Sequence, residues 1–444
     1  MKMAIVALLF LTVCSPIVLC EQNESSELVP GALEFLKYLS EQNFELAAAN
    51  FDSTMKTVMP PDKLSDTWKS LLEQAGKFKQ LSATRTEKMA GYDVVVVTSE
   101  FDNAVIDIKV VFNQQGQISG LWFAPAQAAA QYDSPGYVNP RAFRKSEVTV
   151  GSDNWKLPGT LTMPWGEELV PAIVLVHGSG PNDRDETIGP NKPFKDIAEG
   201  LSSNGIAVLR YEKRTLKYPE QMMAMSESLT VRQETIEDAL AAIKLLRQTP
   251  GIDTSRIFVL GHSLGGTVAP RIAEADKSIA GLIVMAGMTR PLEDALVEQI
   301  EYIFTLDGEI SAGEKNQLDS LKQQVALVKS QELSLGTPSR ELPIGVPASY
   351  WLDLRGYEPA KLAAGLSLPM LILQGERDYQ VTMVDFENWK KQLSNRDNVM
   401  LRPYPRLNHL FIEGDGKSTP QEYNNSGHIS QSVIADIVDW IKKH

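Results

Sequence analysis

Apolar positions change their spacing along this chain, and each change predicts a different kind of element. Over residues 32–50 and 64–75 they recur every three or four residues, which predicts helices. The β-branched runs 92–98 and 105–112 predict strands, and Asn113-Gln114-Gln115-Gly116 predicts a hairpin turn into a further strand over 118–122. Helices followed by an antiparallel meander predict a small α+β domain over residues 30–124. Residues 125–144 are rich in Ala, Gln, Pro and Gly with little periodicity, and predict a linker.

From residue 145 the pattern is different. Residues 147–150 and 160–163 predict a first pair of strands. Short apolar runs at 173–176, 206–209, 256–260, 281–286, 370–374 and 398–404 then alternate with helical spacing near 194–203, 231–247, 387 and 429–442. In the second of these helices Ile236, Leu240, Ile243 and Leu246 form one apolar face. Repeated strand–helix units predict an α/β fold, a mostly parallel sheet covered on both faces, over residues 145–444. The alternation breaks at about 289–360, a charged, helix-patterned stretch ending in Pro343, Pro347 and Pro359. It predicts a helical cap inserted over the carboxyl edge of the sheet.

Bulk composition narrows the function. A chain of 444 residues predicts two domains, and 43% hydrophobic with 22% charged residues is an ordinary globular composition. A net charge of −13 with no long basic run argues against nucleic acid and against an anionic membrane surface. Residues 1–20 predict a secretory signal peptide: Met1-Lys2-Met3 is a positive start, 4–13 is an apolar core too short to span a bilayer, and cleavage is expected after Cys20. The mature protein is thus expected to be secreted or periplasmic. The alternative, a lipid anchor on Cys20, has bulky Leu19 against it. Cys14 and Cys20 are the two cysteines of the chain, so the mature form is expected to hold no disulfide, thiolate metal site or cysteine nucleophile. No second stretch is long and apolar enough to span a membrane.

The chemistry is concentrated where the apolar run ending in Leu260 meets Gly261-His262-Ser263-Leu264-Gly265-Gly266. A buried strand, a Gly-x-Ser-x-Gly turn and a helix starting at Leu264 are the context of a nucleophile elbow. Gly261 and Gly265 flank Ser263 because the turn is too tight for side chains there. A serine hydroxyl needs a histidine to take its proton, and elimination among five histidines leaves two candidates. His262 lies inside the elbow, His177 ends a strand in a Gly-rich loop, and His444 is terminal. His409 follows the last strand and is assigned as the base, with His428, just before the final helix, in reserve. A carboxylate must hold the imidazole, and Gln374-Gly375-Glu376-Arg377-Asp378 follows a strand directly. Glu376 is placed to brace the turn, and Asp378 to reach the site. The oxyanion donors are expected to be the backbone N–H of Leu264 and that of Ser179, with Gly178 the alternative, because the loop His177-Gly178-Ser179-Gly180 lets backbone approach substrate. No His/Asp/Glu cluster has metal-ligand spacing, so neither a metal nor an organic cofactor is expected.

Taken together, His177-Gly-Ser-Gly, Gly261-His-Ser-Leu-Gly-Gly, Gly375-x-x-Asp378 and Asn408-His409 resemble the serine esterases of the α/β-hydrolase superfamily. The secreted bacterial carboxylesterases and the serine aminopeptidase-like hydrolases are the similar groups. This resemblance covers residues 145–444 and implies ester hydrolysis on a small-molecule substrate. Thioesterase and aminopeptidase chemistry use the same groups and stay open. An aminopeptidase would need acids such as Glu298, Glu301 or Asp353 aimed at a substrate amine. Pro181–Glu186 and Arg210–Arg214 resemble stretches in the same group, where their charges brace the site or meet substrate. Tyr350, Trp351 and Tyr357 of the cap are candidates for an acyl pocket or for the cap's own core, with Tyr350 and Trp351 taken as substrate-binding. The segment 30–124 resembles, in element order, the small domains related to nuclear transport factor 2.

Overall fold

The structure is a computed structural model describing residues 28–89, 92–126, 132–152, 154–225 and 227–444. The expected signal peptide, with Cys14 and Cys20, lies outside these residues, as does part of the expected linker. Two compact units divide between residues 130 and 131.

In the first unit, helices Val29–Ser40 and Pro61–Ala75 and two short turns of helix precede a four-stranded antiparallel sheet in the order β1 (Phe78–Met89), β2 (Tyr92–Phe101), β3 (Val105–Phe112), β4 (Ile118–Pro125). Helix and sheet enclose one core around Trp68, Phe51, Leu64 and Ile108. The predicted single helix over 32–50 is two, interrupted at Gln42, whose φ of 57° turns the chain. β1 was not predicted because Lys79-Gln80-Leu81-Ser82-Ala83-Thr84 leaves it without a continuous apolar face.

The second unit is an eight-stranded sheet with helices on both faces. Its strands are β5 (Phe143–Val150), β6 (Leu157–Pro164), β7 (Val170–Val176), β8 (Ala207–Tyr211), β9 (Ile252–His262), β10 (Gly281–Met285), β11 (Met370–Gly375) and β12 (Val399–Tyr404). They lie in the order β12-β11-β10-β9-β7-β8-β6-β5. The six strands from β12 to β8 pair in parallel, while β6 runs antiparallel to both β5 and β8. Val174, Val259 and Ile372 face one core and Ile173, Phe258 and Leu371 the other, so alternate residues of each central strand enter opposite cores. Helices Glu237–Arg247, Leu264–Ala275 and Met383–Leu393 cover the first face, and Pro193–Ser202 and Gln431–Lys443 the second.

From β7 the chain steps outward to β8, then returns to β9 on the other side and continues to β12. The reversal leaves a crevice at the carboxyl ends of β7 and β9, the place where open α/β sheets hold their ligands. The loop 177–183 leaves β7 there, and Ser263 follows β9.

Between β10 and β11 helices Leu292–Phe304, Ala312–Lys329, Ala348–Leu354 and Pro359–Ala364 form the predicted insertion. It has a small core of its own in Leu296, Val328, Leu333, Leu342, Ala348 and Trp351. Among the described residues no helix is long and apolar enough to cross a membrane.

Candidate active site

Ser263 sits at φ 53°, ψ −117°, a left-handed conformation costly for a residue with a Cβ, between the end of β9 and helix Leu264–Ala275. The turn tolerates this because backbone packs on bare backbone around it. A Cβ on Gly265 would stand 2.2 Å from the Val176 carbonyl oxygen, and one on Gly261 2.2 Å from that of Gly265. Leu264 is the first residue of the helix, so its N–H is one of the donors that no helical carbonyl reaches.

His409 borders the same cavity as Ser263. Its Nδ1 lies 2.6 Å from Asp378 Oδ2, an oxygen that can only accept, so Nδ1 carries the proton and Nε2 is left for the cavity. Asp378 is fixed in turn: Oδ1 accepts the N–H groups of Gln380 (2.7 Å) and Val381 (3.0 Å), and Oδ2 also accepts Gln374 Nε2 (3.2 Å). The two loops carrying these residues meet closely at Gly375, where a Cβ would lie 2.4 Å from the Leu407 carbonyl oxygen. Asn408 braces the histidine loop by accepting the N–H groups of Leu410 and Ile412 on its Oδ1. Glu376, the other acid of this turn, borders no part of the cavity. His428 lies elsewhere, against Asp196 at 3.2 Å.

The two residues offered for the oxyanion loop separate. The N–H of Gly178 is occupied, donating to Glu186 Oε1 at 2.7 Å. Ser179 borders the cavity, and its N–H has no partner among the described residues. The predicted substrate contacts in the cap are also corrected. Tyr350 is buried in the main core with its hydroxyl on Glu234 Oε2 at 2.7 Å, and Trp351 is buried in the cap's core, donating to the Val346 carbonyl. Neither borders the cavity. Its cap-side wall is Gln299, Ile300 and Ile303 of helix Leu292–Phe304, with Ile188, Tyr379 and Tyr423 completing an apolar lining. The sequence signal for that wall was present in the amphipathic run 292–304, but nothing in it said which face looked at Ser263.

Sequence reasoning also missed His262. It is fully enclosed, with Nδ1 2.8 Å from Glu186 Oε2, Nε2 2.9 Å from the His409 carbonyl oxygen, and its ring 4.7 Å from that of His409. Both neighbours are acceptors, so both ring nitrogens must donate and the ring is an imidazolium. Burial opposes that charge, but the Glu186 carboxylate, helped by the His409 carbonyl and Asp378, holds the His262 pKa above its ordinary value. Burial pushes Glu186 up, but the charge and hydrogen bond of His262, together with the Gly178 N–H, hold it below the usual carboxylate range. His177, whose Nε2 donates to the Asp183 carbonyl, is instead pushed by burial down to about 4 and is neutral.

The signs fix where the Glu186–His262 pair stabilises the fold. The contribution of Glu186 is present above the ordinary carboxylate pKa and is lost as pH falls through its lowered value. That of His262 is present below the ordinary imidazole pKa and is lost as pH rises through its raised value. Glu186→Gln strands a buried charge and is expected to cost about 3–5 kcal/mol near neutral pH. Urea midpoints measured across pH check this; a variant as stable as the parent at neutral pH would refute the pairing.

The other charges of these loops brace. Arg210 pairs with Asp185, Arg214 with Asp238 (2.5 Å), Arg184 with Glu212 (2.9 Å) and Lys213 with Glu234 (2.5 Å). Among the described residues no group of three or more His, Cys, Asp or Glu is placed to hold a metal ion.

The dienelactone hydrolase family matches residues 159–326, and a family described as protein of unknown function DUF3887 matches residues 32–121. The chain is 42% identical to esterase EstD of Thermotoga maritima over 412 residues, 93% of this chain and 95% of that protein. It is 34% identical to thiohydrolase aneE of Aspergillus aculeatus over 131 residues, 30% of this chain and 37% of that one. Among solved structures, an esterase of Pyrococcus furiosus superposes with a TM-score of 0.45 at 15% identity, over 72% of this chain and 97% of that one.

Proposed function

We propose, from the premise that this chain belongs to the EstD family of α/β-hydrolase esterases, that it cleaves small neutral carboxylic esters through an acyl-enzyme on Ser263. His409 Nε2 takes the proton of the Ser263 hydroxyl as its oxygen attacks the ester carbonyl carbon. The N–H groups of Ser179 and Leu264 receive the developing oxyanion. His409 then protonates the departing alcohol, and water activated by the same imidazole releases the acid. Asp378 keeps the His409 proton on Nδ1 throughout and stabilises the imidazolium. The observation that carries this reading is the 2.6 Å bond from Asp378 to a histidine that shares a cavity with a serine held at a strained elbow.

The lining argues for a neutral substrate. Of the described residues bordering the cavity, Glu186 alone carries a carboxylate, and His262 neutralises it. The acids an aminopeptidase would aim at an amine are engaged elsewhere: Glu298 with Arg290, Glu301 with Lys322 (3.5 Å) and Asp353 with Arg271 (3.2 Å). None of them borders the cavity. The test is hydrolysis of p-nitrophenyl esters of graded chain length beside aminoacyl anilides. The local likeness to a thiohydrolase makes acyl thioesters the third arm. Turnover of the anilides exceeding that of every ester would overturn the reading.

Ile303 and Ile300 give the acyl side its apolar wall. Ile303→Ala is expected to lower kcat/KM for the best short ester about tenfold and to move the optimum to a longer chain, as a pocket that loses methylenes does. A chain-length profile identical to that of the parent would remove the cap helix from the acyl site.

A further inference from the structure

We propose that Lys213 is a positioning residue for the oxyanion: its ammonium holds the Gly178 carbonyl and thereby aims the N–H of the same peptide group, that of Ser179, into the cavity. This rests on the Ser263 acyl-enzyme reading above. Lys213 follows β8 and is buried, an expensive place for an ammonium without partners. Its Nζ donates to the Gly178 carbonyl oxygen at 2.8 Å and to Glu234 Oε1 at 2.5 Å. Glu234 lies in a π-helical turn, Arg232–Ile236, and its Oε2 accepts the Tyr350 hydroxyl at 2.7 Å. Burial, then the Glu234 carboxylate, raises the Tyr350 phenol well above its usual range, so it stays a donor.

Peptide geometry makes the lysine bond consequential. The carbonyl of Gly178 and the N–H of Ser179 belong to one planar trans unit and point in opposite directions. Fixing the oxygen therefore fixes the direction of the N–H. An ammonium on the oxygen also polarises the amide and makes its hydrogen a better donor to developing negative charge. The preceding peptide is fixed as well, because the N–H of Gly178 is bound to Glu186. Asn182 Nδ2 adds a weaker 3.3 Å bond to the Gly178 oxygen. Gly178 is thus held at both its polar atoms by buried charges, although the residue itself supplies no donor to the substrate. Such a hold sets the donor in place before substrate arrives, as oxyanion stabilisation requires.

Lys213→Met alone would strand the Glu234 carboxylate at a cost to the fold, so the decisive variant is the double change Lys213→Met, Glu234→Gln, which removes both charges. With p-nitrophenyl acetate, kcat is expected to fall about 10- to 100-fold, less than for loss of a whole donor, with KM held within about threefold. Affinity for an aryl trifluoromethyl ketone, whose serine adduct places an oxyanion in the same position, should fall in parallel. Affinity for the matching methyl ketone, bound without an oxyanion, should not. Lys213→Arg, which keeps a cationic donor, should recover most of the loss. An unchanged kcat in the double variant, or equal losses of affinity for both ketones, overturns the proposal. Ser263→Ala run in parallel separates the two readings. If it still turns over, the acyl-enzyme reading has failed; if it is silent while the double variant works normally, only the role of Lys213 has.

Discussion

Replacing Ser263 with alanine is expected to lower kcat by about a millionfold, as for a nucleophile acting within a triad. The Thr267 hydroxyl, on the helix that follows the elbow, is committed: it accepts the N–H of Met288 at 2.9 Å. The turn should survive, because it is held by close backbone packing around Gly261 and Gly265 and by the bond from the Ser263 N–H to the Met285 carbonyl at 2.9 Å, none of which uses the hydroxyl. An unchanged thermal midpoint with loss of the p-nitrophenol burst is therefore the expected pair of observations. What persists is the contribution of the amide donors and of binding, about 10³- to 10⁴-fold over water. A variant that kept more than a few per cent of parental turnover would end the acyl-enzyme reading.

Asp378→Asn is expected to cost about 10⁴-fold in kcat while leaving the fold intact. The reason lies in which oxygen does what. Oδ1 accepts two backbone N–H groups, from Gln380 and Val381, so the amide oxygen of an asparagine must take that position. Its NH2 is then turned towards His409 Nδ1, and two donors cannot share a hydrogen bond. The imidazole answers by moving its proton to Nε2, the nitrogen that has to accept from Ser263. The base is present but protonated on the wrong side. The kcat of the variant against pH, with nitrogen chemical shifts of His409 to report the tautomer, checks the step. A ring still protonated at Nδ1, or a loss below about tenfold, would show that Asp378 does not set the tautomer.

Much of this was readable from the chain, for identifiable reasons. The parallel sheet announces itself because strands buried on both faces must be apolar throughout, as in Ile257 to Leu260 and Met370 to Leu373. Ser263, Asp378 and His409 stand out because each follows a strand at the carboxyl edge, and because histidine is scarce enough for elimination. Less was readable where direction matters more than identity. Tyr350 and Trp351 are aromatic residues in a cap, yet helix Ala348–Leu354 turns both into packed interiors. The strand β1 alternates around small polar residues and resembles a loop in composition. Glu186 and His262 are 76 positions apart, and no local pattern foretells that they pair. The same distance problem hid Lys213, since its partners Gly178 and Glu234 lie on separate elements, the loop after β7 and a π-helical turn.

The insertion that carries Ile300 and Ile303 leaves the sheet after β10 and rejoins it at β11, and these two strands are hydrogen-bonded neighbours. Its two attachment points are therefore adjacent, whatever its length, and lengthening such an excursion costs only logarithmically in closure entropy. The proposed bond-breaking groups, Ser263, Asp378 and His409, all stand on the sheet side of that junction. The cap-side wall of the cavity and the proposed triad are accordingly carried by separate stretches of polypeptide. A lineage, or an engineer, that exchanges the stretch around Ile300 and Ile303 and keeps Tyr350, whose hydroxyl holds Glu234, can change what is admitted without disturbing the proposed reacting atoms.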